Sequence, residues 1–246
     1  MFSIFKKKST VQADFSGIKT DMHSHLIPGI DDGSTDTDMS RALIKGLLEL
    51  GYEKFIATPH ILSDMYPNNA DTIGAAKDTL QRALKENKEA VPLHAAAEYY
   101  LDDHFSTLLD NKEPLLTLKD RYVLIEFPFV SPPYNYKEQI FQLQMNGYQP
   151  VLAHPERYTY FSNRKEVFEE LKGTGCLFQS NLLSFTGYYG RQSQELAQFL
   201  LKQSYINLLG TDLHHERHLE ALRAFGAYQS VLHTLLDSGK LLNPSW

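Results

Sequence analysis

The chain has 246 residues, with 24 Lys and Arg against 30 Asp and Glu, for a formal charge of −6. That balance argues against non-specific nucleic-acid binding and, on its face, disfavours anionic substrates. A composition 42% hydrophobic and 22% charged excludes disordered and collagen-like classes, and the single Cys176 excludes a disulfide framework and fits a reducing compartment.

The first residues, Met-Phe-Ser-Ile-Phe-Lys-Lys-Lys, lack the order of a signal peptide, so a cytoplasmic location is expected. Lys6, Lys7 and Lys8 read as part of a mobile tail, because three cations contribute only about 3 kcal/mol at an acidic membrane surface. No apolar run approaches the roughly 20 residues that span a bilayer, so no stable membrane insertion is expected. After a polar, flexible lead-in over 1–17, a strand is predicted over 18–24. The next helix follows Gly33: Thr35 with Asp38 resembles a capping box, and Met39, Ala42, Leu43, Gly46, Leu47 and Leu50 repeat at helical spacing before Gly51 stops it. Further strands are predicted over 54–58, 91–98, 122–127, 150–153, 176–180 and 205–210, each followed by a segment with helical potential. Pro132-Pro133 reads as a rigid turn in one of the connecting loops. A last helix is predicted over about 216–236 from Leu219, Leu222, Phe225, Leu232 and Leu235. No repeat, low-complexity segment or long linker interrupts this rhythm, so 18–246 is expected to form one domain.

Seven βα units in this length match a TIM-like barrel, and a doubly wound open sheet would give a similar rhythm. Both folds place chemistry at the carboxyl ends of strands, and only the barrel gathers nearly all those ends around one centre. His23-Ser24-His25 falls at the first such end, where alternation along an extended chain turns both imidazoles to one side. His60 ends the second strand, Glu98 the third, Glu126 the fourth, His154 the fifth, and Asp212 with His214 the seventh; Asp32 lies in the loop after the first. Taken singly, His60 or His154 reads as a hydrogen-bonded core histidine and Glu126 as a carboxylate paired with an arginine. Taken together, five His and four carboxylates at corresponding ends of six strands are best explained as ligands of several cations sharing bridging carboxylates. Glu126 sits among Leu124, Ile125, Phe127 and Phe129, where an unpaired carboxylate would be costly to bury.

These segments resemble the PHP (polymerase and histidinol phosphatase) superfamily and, within it, the CpsB/CapC-type bacterial protein-tyrosine phosphatases of capsule and exopolysaccharide clusters. The resemblance is carried by Asp21-Met22-His23-Ser24-His25 with Asp31-Asp32-Gly33, Ala57-Thr58-Pro59-His60, Ala97-Glu98, Ile125-Glu126-Phe127, Ala153-His154-Pro155-Glu156-Arg157, the 184–190 segment and Thr211-Asp212-Leu213-His214. It spans about residues 20 to 240 and implies an α/β fold, a distorted (β/α)7 barrel. By similarity, His23, His25, Glu98 and Asp212 should hold a first metal ion. Glu98 should bridge to a second held by Glu126 and His154, and Asp32, His60 and His214 should hold a third. Manganese is expected, with iron, cobalt or zinc as alternatives. A water acidified by two cations would attack phosphorus in line, with Arg157 and Arg217 as candidates for clamping the phosphate. Three divalent cations outweigh four carboxylates, so the loaded site would be positive although the chain is acidic.

Rival chemistries fail on the chain itself. A cysteine phosphatase needs Arg six positions after its Cys, where Cys176 has Leu182, and neither a P-loop nor a G-x-G-x-x-G turn is present. His94 reads as a core or ligand-supporting residue, His104, His215, His218 and His233 as solvated. Tyr188 and Tyr189 read either as a stacking surface for a phosphotyrosine ring or as an aromatic turn packed on the rim. The expected function is therefore metal-dependent hydrolysis of phosphotyrosine on a partner protein, by resemblance a bacterial tyrosine autokinase controlling polysaccharide synthesis. Two alternatives stand beside it: a phosphatase of a small phosphomonoester such as histidinol phosphate, and a catalytically idle, metal-binding regulatory subunit.

Overall fold

A computed structural model of the chain describes residues 12–246. The Lys6–Lys8 tail lies outside the described residues. Nine strands occur among them: β1 (Thr20–Asp21), β2 (Lys54–Ala57), β3 (His60–Ile61), β4 (Leu93–Ala95), β5 (Glu98–Tyr100), β6 (Tyr122–Glu126), β7 (Gln149–Ala153), β8 (Leu177–Asn181) and β9 (Ile206–Gly210). All pairings between named strands are parallel, in the orders β1-β2-β4 and β3-β5-β6-β7-β8-β9. A strand falls in each of the seven predicted stretches; β3 lies just past the end predicted for the second at residue 58, and the third is divided between β4 and β5, which runs on to Tyr100. Pro59 supplies no backbone N–H, so the ladder breaks between β2 and β3, and β4 and β5 separate opposite that point. Ala96 N donates to Ala57 O and Glu98 N to Pro59 O across the break, which keeps both halves in register.

Ring closure falls between the first and last stretches and is made differently from the rest. β1 is only two residues long, shorter than predicted, and it meets β9 through no ladder. Beyond them, Ser24 and Leu213 form an isolated parallel bridge, with Asp212 N donating to His23 O and His25 N to Leu213 O. On the opposite side, Asn243 is wholly buried at the seam. Its Nδ2 donates to Thr20 O and Leu209 O, and its Oδ1 accepts from Leu209 N. The result is the distorted barrel expected of seven βα stretches.

Eight α-helices among the described residues follow or link the strands: α1 (Thr37–Glu49), α2 (Ala70–Glu86), α3 (Asp103–Asp110), α4 (Tyr136–Met145), α5 (Glu166–Gly173), α6 (Arg191–Lys202), α7 (Glu216–Arg223) and α8 (Gln229–Asp237). The cap of α1 is Asp36, not Thr35: its Oδ1 accepts from Met39 N at 2.9 Å, while the Thr35 hydroxyl is turned onto Asp36 itself. The predicted last helix is broken, with a tight 3-10 segment over Ala224–Tyr228 between α7 and α8 that buries Phe225 and Gly226. One apolar cluster runs from Ala13 to Leu235 beneath the helices, and a second fills the ring between Met22, Ile56, Ala96, Leu124, Val151 and Leu208. Residues 12–17 are not a loose lead-in, since Ala13 and Phe15 belong to the large cluster and Phe15 N donates to Leu50 O. No helix among the described residues is long and apolar enough to cross a membrane.

Candidate metal centre

At the carboxyl ends of the strands, with the second ring cluster closing the opposite end, lies a cavity of about 390 Å³ lined by His60, Glu126, His154, Arg157, Asp212 and His214 among others. His23, His25 and Glu98 form its floor and are fully buried. Four groups of side chains bring ligand atoms within 4.8 Å of one another: His25, Asp32, His60 and His214; His23, His154 and Asp212; His23, His25 and Glu98; and His60, Glu98 and Glu126. All nine residues singled out as ligand candidates fall in these groups. His23 Nε2 lies 3.2 Å from Glu98 Oε2, and His25 Nε2 lies 3.4 Å from Asp212 Oδ1. His154 Nε2 stands 3.2 Å from Glu98 Oε1 and 3.5 Å from Glu126 Oε1, and Asp32 Oδ1 lies between His60 and His214 at 3.6 and 3.5 Å.

Two of these residues hold unusual backbone. His154 (φ 30°) and Asp212 (φ 51°) are left-handed, a conformation that costs a side-chain-bearing residue of order 1 kcal/mol and persists where the surroundings enforce it. Each stands immediately or almost immediately after its strand, so the turn swings the side chain over the ring instead of along it.

The donor set fits divalent cations. His25 Nε2, His60 Nδ1 and Glu98 Oε1 are buried side-chain atoms without a hydrogen-bond partner, and all three face this cluster. Orphaned buried lone pairs are expensive unless something binds them. The charges also conflict without a cation. Burial would raise Glu98, yet the imidazoles of His23 and His60 hold it well below the usual carboxylate range, while burial and the charges of Glu98 and Asp212 push Glu126 well above it. His214 and His60 draw Asp32 down to about 2, and desolvation lowers His154 to about 4.

Supporting residues surround the candidates. Asp31 Oδ2 binds His25 Nδ1 at 2.7 Å and the backbone N–H of His60 at 3.2 Å, while its other oxygen accepts from Gly33 N. Gln179 binds His23 Nδ1 at 2.8 Å, and Asn181 Nδ2 donates to Asp212 Oδ2 at 2.7 Å. Sequence reasoning did not assign these three. The doubled Asp31-Asp32 and the alternate spacing of Gln179 and Asn181 on one strand face were the signals available.

Arg157 lies on the cavity wall. Its Nη1 donates to Asp212 Oδ2 at 2.8 Å, and its guanidinium is sandwiched between Phe129 (4.6 Å) and Tyr189 (4.4 Å). Arg217, by contrast, is exposed in the first turn of α7 and does not line the cavity. Tyr189 thus faces Arg157, and Tyr188 is exposed beside it. Three histidines differ from expectation. His94 is exposed on β4 and bound to Thr117 O, because the break between β4 and β5 separates it from Glu98. His215 and His218 are not solvated: they stack at 4.1 Å and line the cavity, since the turn into α7 folds back over His214.

The family model described as capsular polysaccharide synthesis, CpsB/CapC, matches residues 19–223. Tyrosine-protein phosphatase YwqE of Bacillus subtilis is 34% identical over 197 residues, covering 79% of this chain and 76% of its own. Tyrosine-protein phosphatase CpsB of Streptococcus pneumoniae is 27% identical over 200 residues, covering 79% and 82%. A solved structure, from work describing YwqE of B. subtilis and CpsB of S. pneumoniae as metal-dependent tyrosine phosphatases, superposes with a TM-score of 0.77. It is 27% identical and covers 92% of this chain and 90% of its own.

Proposed function

Because the chain belongs to the CpsB/CapC family, we propose that its cavity is the active site of a metal-dependent protein-tyrosine phosphatase that takes three divalent ions, manganese foremost. The observation that carries this reading is the convergence of five imidazoles and four carboxylates on one cavity whose buried lone pairs lack partners. His23, His25, Glu98 and Asp212 would hold the first ion; Glu98, Glu126 and His154 the second; Asp32, His60 and His214 the third. Proximity groups His23, His25 and Glu98 of the first set and Asp32, His60 and His214 of the third, with His25 also beside the third; His60 lies with Glu98 and Glu126, and His154 with His23 and Asp212, across the proposed sets. Bound cations of this kind supply Lewis acidity toward phosphoryl oxygens and acidify water at neutral pH.

The chain's own residues do the rest. Arg157 offers a planar pair of N–H donors at the wall, stiffened between Phe129 and Tyr189 and held in charge balance by Asp212. Phe129 and Tyr66 present aromatic faces in the same cavity, Tyr66 stacking on His60 at 5.6 Å, and a phosphotyrosine ring entering between them would be shielded from water. Arg217 could reach such a phosphate only from the exposed first turn of α7. The protein substrate is proposed to be a bacterial tyrosine autokinase governing polysaccharide synthesis, and the site of action the cytoplasm; the names of the relatives support a phosphotyrosine protein as substrate, and the family description supports the link to capsular polysaccharide synthesis.

The test is kcat/KM on phosphotyrosine peptides against histidinol phosphate, with Mn²⁺ present and metal content measured on the same preparation. Preference for the peptide is expected. Efficient cleavage of the small phosphomonoester with the peptide ignored would overturn the substrate, and a chain without bound metal or activity would overturn the enzyme.

A further inference from the structure

β8 supplies none of the nine candidate ligands, yet its inward side chains Gln179 and Asn181 are both completely buried among them. Their hydrogen bonds run in one direction that the chemistry of the groups dictates. The backbone N–H of His154 can only donate, and it donates to Gln179 Oε1 at 3.3 Å. That oxygen therefore accepts, and the second group it meets, His23 Nδ1 at 2.8 Å, must carry a proton. With Nδ1 protonated, the neutral imidazole keeps its lone pair on Nε2, the atom that faces Glu98 and Asp212. The other end of the Gln179 amide is then a donor, and it donates to Asn181 Oδ1 at 2.8 Å. Asn181 in turn is left with Nδ2 as its donor toward Asp212 Oδ2.

We propose that Gln179 and Asn181 form a polarised amide relay that starts at the His154 backbone and sets both the tautomer of His23 and the free oxygen of Asp212 for metal binding. They are positioning residues, and the inference rests on the ligand assignment proposed above. The relay has no alternative arrangement within this framework: turning either amide over would set two acceptors or two donors face to face. Space enforces it too. A Cβ on Gly210 would come within 2.6 Å of His23 Cβ and 2.7 Å of Gln179 Nε2, so the glycine of β9 leaves room for this pair and for little else.

Gln179→Met and Asn181→Leu keep volume and remove the relay. Supporting residues of this type typically alter metal affinity 10- to 100-fold, so Mn²⁺ titrated into each variant calorimetrically should bind about 10-fold more weakly or worse, with the metal-free variants still unfolding cooperatively. Affinities within about twofold of wild type in both would overturn the relay. A second measurement needs no variant: nitrogen-15 spectra of the Zn²⁺-loaded wild-type protein should show the His23 proton on Nδ1, and a proton on Nε2 would overturn the inference. Wild-type protein that binds Mn²⁺ but ignores phosphotyrosine would sink the proposed substrate and leave the relay standing. Wild-type protein that binds no divalent ion sinks both.

Discussion

His25 illustrates how tightly single residues are fixed at this site. Asp31 holds its Nδ1, and a Cβ placed on Gly33 would fall 2.3 Å from His25 Cβ and 2.4 Å from its carbonyl oxygen, so the loop passes over it only because residue 33 is glycine. Gly33→Ala should therefore displace Asp31 and Asp32 together, lowering metal content and kcat/KM at least tenfold; unchanged metal content by elemental analysis would refute that coupling. Arg157→Lys keeps the charge and loses the planar fork, so kcat/KM on a phosphotyrosine peptide should fall tenfold or more, about 1.4 kcal/mol, at unchanged metal content. Cys176 is a counter-example: burial pushes its thiol up to about 12, so N-ethylmaleimide at pH 8 should leave the native enzyme active and label it only after unfolding. The ligand candidates were legible because His, Asp and Glu at successive strand ends are rarely explained by packing. Gln179 and Asn181 were not, because a neutral amide in a strand carries no chemical mark until its partners across the ring are known.

Elements tell a similar story at larger size. The seven βα stretches were readable from apolar runs and the turns between them, whereas the continuation of the second past Pro59 as β3 and the split of the third into β4 and β5 were not, since Pro59 interrupts a ladder without ending the extended path. The α1 boundary missed by one residue for a local reason: Thr35 and Asp36 are both good caps, and only the backbone decides which side chain reaches the Met39 amide. Asp36→Ala should cost about 1 kcal/mol, a fall of roughly 2–4 °C in Tm for a chain of this size, with Thr35→Ala nearly silent; the reverse order in thermal melts would restore Thr35 as the cap. The helix expected over 216–236 failed because apolar spacing is the same for one long helix and for two joined by a compact 3-10 segment. The packing of Phe225 against Phe15 takes place at that joint.

For the molecule as a whole, the seam between β1 and β9 is where side chains replace a ladder. Asn243→Leu would orphan backbone groups on both strands, each costing about 1–3 kcal/mol when buried, so it should be among the most destabilising single changes outside the site. A chemical-denaturation loss under 1 kcal/mol would refute that. The proposed ligands His23 and His25 stand on one side of this seam, and Asp212 and His214 on the other. Mn²⁺ at 100 times its Kd should stabilise the native state by about 2.7 kcal/mol, and a chelator should remove that gain.

That geometry gives metal occupancy a readout in local opening. In the metal-free protein the two margins at the mouth are joined by the Asp21 carboxylate, which accepts from Thr211 N and Oγ1, and by two backbone bonds, from Asp212 to His23 and from His25 to Leu213. Their amides should therefore exchange hydrogen through small excursions that leave β6, β7 and β8 intact. Once cations bridge the margins, the same amides can exchange only when the ions leave or the whole barrel unfolds. The protection of two backbone hydrogens, followed in time, would then count the lifetime of the loaded site.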